Sequence, residues 1–590
     1  MSSSPHSSRS VCPFLAFRLS SSRRRPASAS ARNTASIPPP LYAALRLPNL
    51  GSRLAACQLT GPPSRGISRC PGVDPPRAAD DDLRYGRSSP PGGPVPLPTS
   101  AVTEEELLAG SPPVRAVPPD EVAAASAGGR RLVVLDDDPT GTQTVAGVPV
   151  LTAWDPDDLR WALATRSPAF FVLTNTRSLA PHDAAERDRQ VVRALAAAAP
   201  AGGAGFAIAS RSDSTLRGHF PLETDVLAEE LAALGAGPVD GVLVVPAYVE
   251  AGRLTVDSVH WMRTAAGMIP VGQGEFARDA TFGYTSSRLP DWVEEKTGGR
   301  VAAADVVRIT LVDLRLHGPP RVAELLGELR GGRVAVADAA CDDDLRVLAL
   351  GVALAESRGL RLLYRCGPSF VRARAGQSAR APLTPADLGR TEPGRAGLGT
   401  GGSGDGEPGP PVTPHGLVVV GSHVGLTTRQ LDRLRARGGI AEHELDVTTL
   451  LDDATRPAHV TEVALACADG LQEHDVVLRT SRTVVTGADA AESLAIARRV
   501  SAALVDAVRA IVAARRPAFI IAKGGITSSD VATDGLGIRR AWARGTLLPG
   551  IVSLWEPESG PATGIPYVVF AGNVGTDEAL ADAVDLLRSR

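Results

Sequence analysis

Lysine is nearly absent from this chain: of the 62 basic residues only Lys296 and Lys523 are lysine, and arginine supplies the rest. With abundant alanine, glycine and proline this points to GC-rich coding, so a retained lysine marks a place where a compact ammonium is wanted rather than a planar fork. Cysteine is sparse and unpatterned. Cys12, Cys57, Cys70, Cys341, Cys366 and Cys467 form no C-x-x-C pair and no disulfide-like spacing, which fits a reducing cytosol. No uninterrupted apolar run reaches the roughly 18 to 20 residues that a membrane helix needs, so no membrane partner is expected. The formal charge is -3, which gives no bulk field for a polyanion; nucleic acid is excluded on that ground, and any anion must be held locally. The pattern G-x-x-x-x-G-K-[ST] is also missing, which excludes a P-loop enzyme.

What is present is enough chain for two folded domains, since 590 residues exceed what one hydrophobic core usually organises. Residues 1–100 are rich in Ser, Pro and Arg, and the first acidic residue is Asp74, so this stretch reads as a disordered extension without a packed core. It is either upstream sequence included by a misplaced start or, as the alternative, an organellar transit peptide. Residues 101–375 read as a first α/β domain, 376–414 as a Gly/Pro-rich linker, and 415–590 as a second α/β domain. The expected fold class is therefore α/β, with two domains of mostly parallel sheet.

In the first domain, RLVVLDDDPTGTQ, AFFVLTNTRS, GFAIASRSDSTLRG and DGVLVVPAYVEAGR each run from an apolar strand into a polar turn. Ligands of such sheets sit at the carboxyl ends of the strands, so the polar turns share one rim. Asp136, Asp137 and Asp138 repel one another and are tolerable only where they meet a cation, hydroxyl donors or solvent. One could orient or deprotonate a substrate hydroxyl, and another could hold magnesium. A solvated turn capped by aspartate is the plainer reading of the same residues. Arg211, Ser212, Asp213, Ser214, Thr215 and Arg217 form a second cluster, in which a guanidinium fork and clustered hydroxyls suit a sugar acid. They could equally cap the next helix. Asn175, Thr176 and Arg177 belong to the same rim.

In the second domain, GLVVVGSHVGL, AFIIAKGGITSSD and YVVFAGNVGTDE each give strand, glycine-containing loop and helix. The loop Gly524-Gly525-Ile526-Thr527 lets backbone amides approach phosphates, with Lys523 adding charge; Gly421-Ser422-His423 and Gly572-Asn573 supply further loops.

Six ordered blocks, LDDDPTGTQ, SRSDSTLRG, VPAYVEAGR, GSHVGLTTRQL, AKGGITSSD and FAGNVGTDE, together resemble the four-carbon acid sugar kinase family. The resemblance implies an N-terminal sugar-acid domain, a C-terminal ATP domain and phosphorylation of threonate, erythronate or 3-oxo-tetronate. It implies substrate contacts at Asp138 and the 211–214 segment, and ATP contacts at Ser422, Gly524 to Thr527 and Gly572. Two departures stand out. Arg211 takes the place of the commoner lysine, and in Asn175-Thr176-Arg177-Ser178-Leu179 the arginine comes two positions earlier than in N-T-x-S-R.

The expected mechanism is direct transfer of the γ-phosphoryl group of ATP to a hydroxyl, driven by positioning and charge neutralisation. Asp138 or Asp213 orients the nucleophile, while Asp137, Arg177, Arg211, Ser212 and Ser214 bind the acid. Magnesium follows from the chemistry rather than from a ligand pattern, and self-association is left open. Two rival readings remain. One is a haloacid-dehalogenase-like phosphatase using Asp136-x-Asp138-x-Thr140, with Asp136 as covalent nucleophile; the other is a nucleotide-sensing regulator without catalysis.

Overall fold

The structure is a computed structural model that describes residues 97–199, 205–388, 410–483, 485–488 and 490–589. Residues 1–96 of the extension assigned to 1–100 and residues 389–409 of the linker assigned to 376–414 lie outside the described residues. The end of the extension is packed: Leu97 lies against a hydrophobic core, and the Pro98 carbonyl accepts from Gln273 Nε2 at 2.8 Å. In chain order the strands of the first part are β1 (Arg131–Asp136), β2 (Val148–Leu151), β3 (Ala169–Leu173), β4 (Phe206–Arg211) and β5 (Gly241–Val245). Then come β6 (Arg253–Val256), β7 (Val259–Thr264), β8 (Gly267–Pro270), β9 (Val307–Ile309), β10 (Arg333–Ala337) and β11 (Leu362–Cys366). The second part contributes β12 (Leu417–Val420), β13 (Ile440–Leu445), β14 (Asp475–Thr480), β15 (Ile520–Lys523), β16 (Arg540–Leu548), β17 (Val552–Pro557) and β18 (Tyr567–Phe570).

Among the described residues fifteen of these strands form one sheet, in the order β13-β14-β12-β15-β18-β17-β16-β2-β3-β1-β4-β11-β5-β10-β9. From β2 to β9 every neighbour is parallel, as is every neighbour from β13 to β18. The chemistry of β1 explains its place. Its residues are apolar on both faces, as a parallel strand covered by helices on each side requires. Leu132 and Val134 enter one core, while Val133 and Leu135 enter the core on the opposite face. Alternation does the same in β12, where Leu417 and Val419 join the first of these cores and Val418 and Val420 a third. Proline at the first turn starts several of the covering helices, among them Pro181–Ala198 and Arg456–Gly470.

Three features were not legible in the sequence. The two parallel stretches are joined by the antiparallel hairpin β16–β17, which pairs with β2 on one side and β18 on the other. A separate three-stranded antiparallel sheet, β6-β7-β8, projects after β5. The boundary placed at residue 376 falls inside packed chain: Gln377 exchanges hydrogen bonds with the backbone of Ala146, and Leu383 donates its N–H to Thr546 (2.8 Å). Leu383 and Leu388 supply the apolar anchors that the Gly/Pro composition obscured. No helix of the described residues is long and apolar enough to cross a membrane, and the described cysteines Cys341, Cys366 and Cys467 are free thiols.

Candidate active site

The parallel register sets Asp136, the last residue of β1, directly beside Arg211, the last residue of β4. Arg211 Nε lies 3.0 Å from Asp136 Oδ1, and its Nη1 donates to Asp137 Oδ1 at 3.2 Å. Arg177 donates to both oxygens of Asp137, from Nε at 3.2 Å and from Nη2 at 2.8 Å. Arg177 reaches this position because Asn175 takes the left-handed conformation at φ 52° and the Arg177 N–H is held by the Asp137 carbonyl. Asp136 and Asp137 are each 2% exposed, so both are interior partners of these arginines. Burial raises Asp136 to about 8 against the opposing pull of Arg211, and burial likewise raises Asp137. The turn closes tightly over Asp136. Gly141 donates its N–H to Asp136 Oδ2, and a β-carbon at Gly141 would lie 2.2 Å from that oxygen, so only glycine fits.

Asp138 is different. It opens the 3-10 turn Pro139–Thr144, accepting the Thr140 N–H at 2.9 Å and the Thr140 hydroxyl on Oδ1. Its Oδ2 stands 3.7 Å from Arg177 and its side chain keeps 23% of its surface exposed. Burial alone would raise its pKa, but Arg177, Arg211 and Thr140 together hold it below the usual carboxylate value. Asp213 is kept ionised in a similar way. Burial opposes, but Arg177, Arg217 and the Thr215 hydroxyl bring it down to about 2, with Arg217 Nε donating at 2.6 Å. Ser212 and Ser214 flank it and are buried. Their loop is fixed from two sides: the Ser212 N–H donates to the Cys366 carbonyl, and His260 donates from Nε2 to the Ser214 carbonyl at 2.7 Å. His260 accepts the Thr255 hydroxyl on Nδ1, and burial lowers it to about 4, so it is the neutral imidazole this geometry requires.

On the other edge, register aligns the last residues Val420, Lys523 and Phe570 of β12, β15 and β18. Three glycine loops follow in line. Gly524 takes φ 129°, which L side chains rarely adopt, and opens the helix Gly525–Asp530. The Thr427 hydroxyl donates to the Gly572 carbonyl at 2.9 Å and its oxygen lies 3.2 Å from the Ser422 hydroxyl, which ties two of the loops together. Ile526 is 62% exposed and Thr527 is tucked in at 8%. Lys523 is placed otherwise than a phosphate-facing lysine would be: it is fully buried, donates to the Ala571 carbonyl at 2.6 Å and sits 3.8 Å over the Phe570 ring. The strand register puts it beside Phe570, and burial lowers it to about 7. It braces the Gly572 loop from beneath.

The two edges meet. A β-carbon built on Gly525 would lie 3.3 Å from Asp138 Oδ2, so the backbone of the middle glycine loop faces the one carboxylate of the Asp triplet that stays accessible. The turn after Asp138 locks the meeting point. Thr142 shares a hydrogen bond with Ser553 at 2.8 Å, Trp555 Nε1 donates to Thr142 at 2.9 Å, and Gln143 donates to the Ile551 carbonyl at 2.9 Å. Sequence reasoning found the residues on each edge but missed His260, Arg253, and Arg482, which donates to the Ser422 carbonyl and to Thr428 Oγ1. Arg253 had a visible signal in the block VPAYVEAGR; His260, inside a hairpin, had none.

A family model described as "Sugar-binding N-terminal domain" matches residues 132–374, and one described as "Nucleotide-binding C-terminal domain" matches residues 417–580. The chain belongs to the four-carbon acid sugar kinase family. It is 27% identical over 308 residues to the D-erythronate kinase of Heliobacterium modesticaldum, covering 52% of this chain and 59% of that protein. It is 26% identical over 270 residues to the D-threonate kinase of Salmonella typhimurium, covering 46% and 53% respectively. The chain thus spans little more than half the length of these curated relatives. Crystal structures from Salmonella typhimurium LT2 (TM-score 0.54, 18% identity, 77% of this chain and 98% of that one) and Haemophilus influenzae (TM-score 0.50, 17% identity, 77% and 100%) share the fold.

Proposed function

We propose that this chain transfers the γ-phosphoryl group of ATP to a hydroxyl of a four-carbon sugar acid of the threonate, erythronate or 3-oxo-tetronate kind. The observation that carries the reading is the approach of Asp138 Oδ2 to the Gly525 backbone, which brings an ionised carboxylate and a phosphate-binding type of loop to one point. The acid lies against the rim formed by Arg177, Arg211 to Ser214 and Asp138. The nucleotide lies against Ser422, the Gly524 to Thr527 amides and Gly572. Asp138 accepts the substrate hydroxyl's hydrogen bond and aims its oxygen at the γ-phosphorus. A carboxylate held below its usual pKa is a weak base, and phosphoryl transfer asks mainly for aim and charge stabilisation, so orientation is its role. Asp213 is the less favoured choice, because Thr215 and Arg217 already occupy its Oδ2.

Magnesium belongs to the same reading. Among the described residues no group of three or more His, Cys, Asp or Glu side chains is arranged to hold a metal ion. A magnesium ion would arrive on the nucleotide phosphates, where it would neutralise their charge, and Asp138 is the accessible carboxylate that could share it. The free thiols support work in a reducing compartment such as the cytosol. The phosphatase alternative loses its nucleophile, since Asp136 is 2% exposed beneath Gly141 and paired with Arg211. Incubation of the full chain with ATP, magnesium and a panel of four-carbon acids tests the proposal. Phosphorylated acid is the expected product; hydrolysis of phosphoesters, or nucleotide binding without transfer, would overturn it.

A further inference from the structure

The acid site contains more arginines than are free to meet a substrate. Arg177 is forked onto Asp137, Arg211 lies between Asp136 and Asp137, and Arg217 is shared by Asp213 and Asp279. Each arginine that the sequence offers as a carboxylate clamp therefore already serves the chain's own carboxylates. Arg253 does not. Among the described residues it makes no ion pair: its Nη1 donates to the Ala251 carbonyl at 2.6 Å, and its Nε is buried without a partner.

Its position is set by the loop that leaves β5. Tyr248 and Arg253 exchange backbone hydrogen bonds at 3.0 and 2.9 Å, closing the turn and starting β6 at the carboxyl edge of the parallel sheet. Residues two apart on a strand share a face, so Arg253 lies on the face of Thr255. Thr255 hydrogen-bonds His260, its cross-strand partner on β7, and His260 donates to the Ser214 carbonyl. That face of the hairpin therefore looks onto the Asp213–Ser214 segment. Burial lowers the Arg253 pKa while Asp213 acts against the shift, as expected for a guanidinium that looks toward that carboxylate without touching it.

We infer that Arg253 is the specificity-determining cation of this site, the group that receives the carboxylate of the sugar acid. The inference rests on the kinase reading above and deepens it. An arginine with an unsatisfied buried N–H gains most from a planar anion that it can hold with two hydrogen bonds, and an uncharged polyol of the same length leaves it unsatisfied. The acid is then selected over its neutral counterpart at one residue, while Arg177 and Arg211 keep the aspartates in place.

The test compares wild type, Arg253→Met and Arg253→Lys as full chains, using the best four-carbon acid and its primary amide as substrates. In Arg253→Met the KM for the acid is expected to rise by roughly 30-fold or more, the scale of losing one buried charge pair, with a smaller change in kcat. kcat/KM for the amide stays within about twofold, so discrimination between acid and amide collapses; Arg253→Lys recovers part of it. ATP affinity by calorimetric titration is expected to be unchanged. Retention of the wild-type KM for the acid, or equal losses on acid and amide, would overturn the assignment. Should Arg253→Met fail to fold, Arg253→Lys alone must weaken acid binding and spare the amide. If wild type binds acid but transfers no phosphoryl group, the kinase reading fails, while the calorimetric Kd for the acid in the same variants still decides Arg253.

Discussion

Around the carboxyl ends of β1 and β4, Asp136, Asp137, Asp138 and Asp213 are interleaved with Arg177, Arg211 and Arg217, whereas at the ends of β12, β15 and β18 the strand-terminal charge is Lys523 alone, and it is fully buried. The first edge fixes its geometry with ion pairs shielded from solvent. The second fixes its geometry with glycines, hydroxyls and cations that hold backbone carbonyls, Lys523 on Ala571 and Arg482 on Ser422, rather than with ion pairs. The contrast is what the proposed ligands would require. A small acid with several hydroxyls needs directional side chains, while a polyphosphate needs close backbone approach and little steric bulk. It also separates the costs of damage, since a charged edge loses stability when one partner is removed and a glycine edge loses access when a side chain is added.

Arg211→Met should break this contrast most severely. It leaves Asp136 and Asp137 buried without one of their shared cations, a loss of about 3 kcal/mol or more. Denaturant unfolding of the variant would read it, and a stability equal to wild type would mean that the pair is not held together as described. Asp138→Asn comes next. Asparagine can still cap the Pro139–Thr144 turn, so the fold should survive while turnover on the best acid falls about a hundredfold, with little change in nucleotide affinity. Normal turnover would remove Asp138 from the mechanism and leave Asp213 as the orienting group.

Gly525→Val sharpens the comparison from the other side. Its β-carbon would sit 3.3 Å from Asp138 Oδ2 and its methyl groups would enter the gap between the edges. Nucleotide affinity should fall by about tenfold, with binding of the acid less affected. Calorimetric titration with each ligand separates the two. An effect of similar size concerns Asp213, whose pKa lies at about 2 against an ordinary 3.8. A depressed carboxylate pKa stabilises the fold above the unfolded value, and the benefit disappears as pH falls from 3.8 through about 2. Asp213→Asn should therefore cost about 1–2 kcal/mol near neutrality, with the difference from wild type shrinking below pH 4. Denaturant titrations of both proteins across that range check the sign.

The parallel strands and both rims were legible because they rest on local patterns: apolar runs such as RLVVLD and AFIIAK end in turns whose chemistry is written in adjacent residues. What was not legible depends on pairing across long distances. The β16–β17 hairpin reads as one more apolar pair, and nothing near Arg540 announces that it will lie beside Leu151 of β2. Likewise Arg177 and Arg211 read as free clamps, because their aspartate partners are 40 and 74 residues away in sequence. Lys523 reads as a phosphate contact until the register sets it against Phe570.

The central claim is that the meeting of Asp138 with the Gly525 loop is a site of phosphoryl transfer from ATP to a four-carbon acid. Its most direct test is to incubate the full chain with ATP labelled at the γ-phosphate and with D-erythronate or D-threonate, and to follow the label. Label is expected in the acid as a phosphoester in wild type, and to appear there at least about a hundredfold more slowly in Asp138→Asn. Label that remains in ATP, or that appears only as free phosphate whether or not an acid is present, would contradict it.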